Sequence, residues 1–182
     1  MQFDWMILDG IQNIFKSDFL DMVMPNLTAL GEYGIIWILF GIALLISKKY
    51  RKYGVLVLVG LLLGLIIGNG ILKNTIMRDR PCWIHTDVKL LIPIPKDYSF
   101  PSGHTQSAVI AATLITLANK KFGFVVIPLA LLLAFSRLYL YVHFPTDIIG
   151  GAIVGLLIAA FTYVVGGRLL KIKNAPCLGN VK

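Results

Sequence analysis

Residues 54–72 run the thickness of a bilayer without one charged side chain. As a helix, a stretch of that length reaches roughly 30 Å, matching a hydrocarbon core. In lipid every backbone N–H and C=O must be satisfied within the segment, so the stretch must be helical. The rest of the chain agrees. It has 182 residues, 57% hydrophobic and 14% charged, where a soluble domain carries roughly a quarter charged residues. Mean hydropathy is +0.80.

Four further apolar runs fall at residues 26–47, 102–119, 122–141 and 145–166, the last opened by Pro145. Glu32 lies near the start of the first, at headgroup depth. Residues 1–24 are different. Phe3, Trp5, Ile7, Leu8, Ile11, Ile14, Phe15 and Phe19 are interrupted by Asp4, Asp9, Lys16, Asp18 and Asp21, the pattern of an amphipathic helix lying in the interface. The expected fold is an all-α integral membrane protein, a bundle of five to six transmembrane helices, with five spans plus an N-terminal interfacial helix preferred. It divides into an N-terminal amphipathic segment (1–24), a single transmembrane catalytic domain (25–170) and a basic tail (171–182). Gly60, Gly64 and Gly68, and again Gly151 and Gly155, recur four apart, which predicts close helix packing. The N-terminus has no basic start and carries acidic residues, so no signal peptide is expected.

The net charge of +8 is not read as a nucleic-acid footprint, because the cations gather at helix ends. Lys48, Lys49, Arg51 and Lys52 form one loop, Lys120 and Lys121 another, and the tail is basic again. With five spans these share one side, which the positive-inside rule makes cytoplasmic. The connection at 73–104 and the turn around His143 then lie on the outer face. Lys73, Arg78 and Arg80 break the charge rule there, an exception expected of cations that hold an anion. Arg78 and Asp79 are expected to pair with each other. His85 is read as a solvated loop residue, and Glu32 as structural or facing the site's mouth. The apolar Leu90–Pro95 piece is read as a packed loop or one dipping beside a lipid tail. Cys82 and Cys177 stand in separate polar regions, and no disulfide framework is expected.

Three polar islands interrupt this apolar frame. Pro101-Ser102-Gly103-His104 stands where a loop becomes a helix. The free N–H groups of a first helical turn suit a phosphate, Gly103 lets the backbone approach it, and Ser102 can cap the helix and donate its hydroxyl. An ordinary Ser cap beside an interfacial His gives the same tetrapeptide. The second island is Ser136-Arg137, then His143 and Asp147, four apart and able to share a helix face. Asp147 can orient His143 and leave its other nitrogen free as a nucleophile. Arg137 offers bidentate contact to phosphoryl oxygens. A snorkelling Arg and a first-turn Asp are the plain alternatives. The third island is Lys73, then Arg80-Pro81, two cations that can complete an anion cup.

In order, these read Lys-x6-Arg-Pro, Pro-Ser-Gly-His and Ser-Arg-x5-His-x3-Asp. That set resembles the type 2 phosphatidic acid phosphatase (PAP2) superfamily, which includes haloperoxidases and glucose 6-phosphatase, across roughly residues 54–166. The soluble haloperoxidases lack spans and fit this chain poorly. The resemblance implies catalysis through a phosphohistidine, with His143 attacking phosphorus and Asp147 orienting it. His104 would protonate the leaving oxygen and then activate water. Lys73, Arg80, Ser102, Gly103 and Arg137 would hold the phosphoryl oxygens. No metal and no cofactor is expected, since the sequence has no clustered carboxylates or His-rich motif of a two-metal site.

The expected activity is that of a membrane lipid phosphatase, hydrolysing undecaprenyl diphosphate to undecaprenyl phosphate for cell-wall (peptidoglycan) carrier recycling. A phosphatidylglycerophosphate or phosphatidate phosphatase of phospholipid metabolism is the alternative. A non-enzymatic lipid-phosphate binding or transport protein is the alternative of another class; binding alone needs cations but no nucleophile with its own orienting acid. The expected partners are the lipid phosphate and the bilayer, without nucleic acid, in a bacterial plasma membrane with the site facing outward.

Overall fold

The helix that carries Pro-Ser-Gly-His is the axis about which the others pack. The computed structural model describes residues 2–172, all-α with no strand among them. In chain order the helices are α1 (Gln2–Phe15), α2 (Asp18–Leu30), α3 (Ile35–Ile46), α4 (Arg51–Gly64), α5 (Lys73–Ile76), α6 (Pro81–Ile84), α7 (Gly103–Ala118), α8 (Lys120–Tyr139) and α9 (Pro145–Leu169). A π-helical stretch, Leu65–Leu72, joins α4 to α5 without a break.

The glycine stripes expected to mediate packing do so on both sides of α7. A methyl group at Gly60 would meet Ile110 at 2.8 Å, and one at Gly64 would meet the same side chain at 2.7 Å. Across α7, a methyl at Gly151 would strike the Ser102 carbonyl at 2.7 Å and one at Gly155 the Gln106 carbonyl at 2.8 Å. Apolar side chains gain little by leaving lipid for protein, so helix association here depends on close van der Waals contact. α8 completes the surround, and Ile110, Leu114 and Leu133 are fully buried between the helices. The outward faces stay apolar, with Leu62, Leu131, Leu157 and Phe161 all more than half exposed.

The N-terminal third departs from the expected layout. Instead of one interfacial helix at 1–24 and a span at 26–47, α1 stops at Phe15 and Ser17 caps α2, accepting a hydrogen bond from the Leu20 amide at 3.3 Å. α2 carries Asp18 and Asp21 in its first turn and runs on to Leu30. A short 3-10 turn, Glu32–Gly34, then bends the path by 44°, with Tyr33 (φ 51°) and Gly34 (φ 71°) in the left-handed region. Three helices among the described residues, Arg51–Ile84, Lys120–Tyr139 and Pro145–Leu169, are long and apolar enough to cross a bilayer, or four if the bent pair counts as one span. α7, expected as a span, has 16 residues and lies buried among these. Of the basic tail at 171–182 only Lys171 and Ile172 are described; Cys177 lies outside the described residues.

Candidate active site

Each island is placed by a helix end. Met77, in the left-handed region (φ 48°), closes α5 directly after Lys73 has been turned inward. Arg80 is extended, and Pro81 starts α6. Ser102 caps α7 through its side chain, accepting from the Thr105 amide at 3.5 Å and the Thr105 hydroxyl at 3.1 Å. Arg137 occupies the last turn of α8. A turn through Tyr141 (φ 60°) then delivers His143 before Pro145 begins α9. Asp147 is the third residue of α9, and its carboxylate reaches back to accept from the Phe144 amide at 2.8 Å.

These ends converge. Lys73, Arg80, Gly103, His104, Arg137 and His143 line one cavity of about 1100 Å³. Arg80 is 2% exposed and Arg137 4%, so their charges face the cavity instead of bulk water. Arg80 Nη1 lies 3.1 Å from His143 Nε2 and donates to the Val142 carbonyl at 2.7 Å. On the far side of the ring, His143 Nδ1 lies 3.4 Å from Asp147 Oδ2. A carboxylate only accepts and a guanidinium only donates. The two neighbours therefore select one tautomer, with the proton on Nδ1 and the lone pair on Nε2 turned toward the cations. Burial, then Arg80, Arg137 and Lys73, hold His143 well below the usual imidazole range, so the ring is neutral at pH 7.

Arg137 Nη1 donates to the Thr28 hydroxyl on α2 at 2.7 Å, while its buried Nε has no partner among the described residues. His104 Nε2 is likewise buried without a hydrogen-bond partner, 3.8 Å from a Glu32 carboxylate oxygen. One buried donor, Arg137 Nε, and one buried imidazole nitrogen, His104 Nε2, thus stand unsatisfied around the same hollow, which suits a ligand that offers oxygens to the first and a proton-exchanging group to the second. Gly103 lies close to the Asn69 side chain, which a methyl group there would meet at 3.0 Å. Ser102 is fully buried and Asp147 lies behind His143, so both act from beneath the cavity floor. Among the described residues no group of three His, Cys, Asp or Glu side chains is arranged to hold a metal ion.

Several residues beyond the motifs take part. Asp97 bridges Lys73 and Arg80, with Arg80 Nη2 at 2.7 Å from its Oδ1 and Lys73 on its other oxygen. Burial opposes its charge, but Lys73 and Arg80 outweigh that and hold the carboxyl below its ordinary range. Asp97 sits in the irregular connection, where no periodic pattern announces a role. Glu32 does face the site's mouth, on the cavity wall. Arg78 does not pair with Asp79 as expected; it bonds Asp147 Oδ1 at 2.6 Å and Asp4 Oδ2 at 2.7 Å. The signal for this was present in its charge, set on the face where cations are scarce. His85 is exposed, as a loop residue should be, but stacks on Trp5 with ring centres 4.2 Å apart.

Away from the cations the cavity turns apolar. Leu58, Leu61, Leu62 and Leu65 of the α4 and π-helical stretch form one flank, and Leu91 to Pro95 close the other. The hollow therefore has a charged floor and a greasy side, the two ends of an amphiphile.

A family model described as the PAP2 superfamily matches residues 53–171. An undecaprenyl-diphosphatase of Sulfolobus acidocaldarius is 31% identical over 161 residues, 82% of this chain and 78% of its own length. Undecaprenyl-diphosphatase BcrC of Bacillus subtilis is 32% identical over 139 residues, 76% of this chain and 71% of its own. Among solved structures, the crystal structure of a transmembrane PAP2 type phosphatidylglycerolphosphate phosphatase from Bacillus subtilis superposes with a TM-score of 0.73 at 28% identity, covering 96% of this chain and 88% of that one.

Proposed function

This chain belongs to the PAP2 superfamily and is a multi-pass membrane lipid phosphatase; from that premise we propose that it hydrolyses undecaprenyl diphosphate to undecaprenyl phosphate on the outer membrane face. The observation that carries the reading is the cavity itself, with a cation floor holding a neutral, oriented imidazole and an apolar flank open along α4.

His143 Nε2 attacks the terminal phosphorus, and the bond from phosphorus to the bridging oxygen breaks. His104 gives its proton to that oxygen, and undecaprenyl phosphate departs. Asp147 accepts the Nδ1 hydrogen throughout and balances the charge that appears on the ring. His104 then takes a proton from water, whose oxygen attacks phosphorus, the P–N bond breaks, and inorganic phosphate leaves. Lys73, Arg80, Arg137 and the Gly103 amide hold the equatorial oxygens through both steps, and Ser102, buried beneath the floor, holds the helix end that presents that amide. These roles fit the positions of the groups, and no metal is needed in the scheme.

The outward orientation is supported by charge. Lys48, Lys49, Arg51, Lys52 and Lys171 gather around one hollow at the opposite end from the catalytic cavity, and such a concentration belongs in the cytoplasm. The two undecaprenyl-diphosphatase relatives favour the prenyl substrate. The phosphatidylglycerolphosphate phosphatase structure favours the second reading, a glycerophospholipid phosphatase, because the cations recognise phosphate and not the tail.

The test is a panel of undecaprenyl diphosphate, phosphatidylglycerophosphate and phosphatidate presented to purified protein in detergent. Highest kcat/KM on the diphosphate is expected. Negligible diphosphate turnover beside strong turnover of either glycerophospholipid replaces the first reading by the second.

A further inference from the structure

Arg78 lies outside the motif positions, yet it touches the catalytic carboxylate. Its Nη1 donates to Asp147 Oδ1 at 2.6 Å and to the Thr146 hydroxyl at 2.7 Å. Its Nη2 donates to Asp4 Oδ2 at 2.7 Å, and its guanidinium carbon stands 4.3 Å from the Phe144 ring centre. Asp4, on α1, is 4% exposed. Its Oδ1 accepts from the Thr146 amide at 3.1 Å, and both its oxygens meet the Thr146 hydroxyl, at 2.9 and 2.8 Å. Asp4 thus caps the first turn of α9 from another helix, where a carboxylate is favoured.

The two oxygens of Asp147 have separate duties. Oδ2 faces the Phe144 amide and His143 Nδ1, while Oδ1 is held by Arg78. Asp147 is fully buried. With Arg78 gone, the buried carboxylate loses its one cation and keeps only the Phe144 amide, the His143 ring and the Ser99 side chain as partners. Asp4 in turn fixes Arg78, which would otherwise have a free arm.

We infer that Arg78 is a positioning residue, locked by Asp4 of the N-terminal helix, that sets Asp147 and through it the nucleophilic imidazole. α1 is then part of the catalytic apparatus, although it lies outside the residues 53–171 matched by the family. This rests on the phosphohistidine reading above.

The alternative is that Asp4 and Arg78 only fasten α1 to the bundle. Asp9 provides a control, since it anchors the same helix by accepting from the Tyr141 hydroxyl at 2.7 Å without touching Arg78. The experiment uses full-length protein in detergent and farnesyl diphosphate radiolabelled at its terminal phosphate. Label trapped on the enzyme counts competent sites, so kcat is expressed per titrated site, free of any unfolded fraction. Asp4→Asn is expected to lower that kcat about tenfold and Arg78→Gln about a hundredfold, with KM within about twofold of wild type. Arg78→Lys, which keeps the charge but cannot span both carboxylates, is expected between wild type and Arg78→Gln. In the Arg78→Gln background the Asp4 substitution should have no further effect, and Asp9→Asn should leave kcat unchanged.

Wild-type kcat per site in Asp4→Asn, equal losses in Asp4→Asn and Asp9→Asn, or additive losses in the double variant overturns the inference while the phosphatase reading stands. Absence of both labelled intermediate and turnover in the wild type, with farnesyl diphosphate and with phosphatidylglycerophosphate labelled at its terminal phosphate, overturns that reading and this inference together.

Discussion

His143 has one neutral tautomer open to it, and the chemistry starts from there. Asp147 takes the Nδ1 hydrogen and Arg80 points at the Nε2 lone pair, 3.1 Å away. In the proposed scheme the oxygens of an entering phosphate compete for Arg80 and phosphorus faces the lone pair. His143→Ala should abolish turnover while the protein still folds, checked by phosphate release and by size-exclusion chromatography. Asp147→Asn should lower kcat roughly a thousandfold, because an amide oxygen can accept but cannot balance an imidazolium. The sign of the pH effect also follows. Burial and three cations depress the His143 pKa in the fold, whereas the unfolded ring titrates near about 6.5. Below that pH the unfolded chain binds a proton that the folded one refuses, so stability falls with falling pH and levels off above it. Thermal melts between about pH 5.5 and about pH 7.5 should therefore slope more steeply for wild type than for His143→Ala.

At the scale of elements, the connection between α6 and α7 closes the cation cup. Asp97 neutralises Lys73 and Arg80 when no phosphate is bound. Asp97→Ala leaves those buried charges without a counter-ion, and should destabilise the empty protein. Orthovanadate, a phosphate mimic that restores the missing charge, should then raise Tm more in Asp97→Ala than in wild type. Equal shifts would show that Asp97 does not share the cup with the ligand. Helix contact is the other element-scale constraint. Gly151→Ala sets a methyl group 2.7 Å from the Ser102 carbonyl, at the cap of the helix that carries Gly103 and His104. About 1–3 kcal/mol of destabilisation is expected from such overpacking, together with a fall in activity, read from Tm and from phosphate release.

For the whole molecule, the proposed scheme has the lipid tail lie along the cavity's greasy flank. Leu62 lies on that flank. Leu62→Trp should raise KM for undecaprenyl diphosphate several-fold and leave KM for a short water-soluble phosphate ester unchanged. An equal change for both would place the tail elsewhere. Because the scheme draws its electrostatics from Lys73, Arg80, Arg137 and a helix end, EDTA should leave turnover largely intact. Complete loss restored by magnesium would contradict it.

The membrane class, the helical frame and the three phosphate motifs could be read from residue order alone. Uncharged runs must become helices in lipid, and Lys-x6-Arg-Pro, Pro-Ser-Gly-His and Ser-Arg-x5-His-x3-Asp keep their reacting groups at helix ends within short local spacings. Gly60, Gly64, Gly151 and Gly155 likewise declared their packing role through their period. What escaped were contacts between distant segments. Asp4 reads in the sequence as one acid on an amphipathic face, and Asp97 stands in a connection with no periodic pattern to mark it. Arg78 lies 74 residues from Asp4 and 69 from Asp147, and no local pattern links such partners. Only the folded bundle brings α1 against the first turn of α9, and there the cost of burying an unpaired charge decides which acid meets which cation.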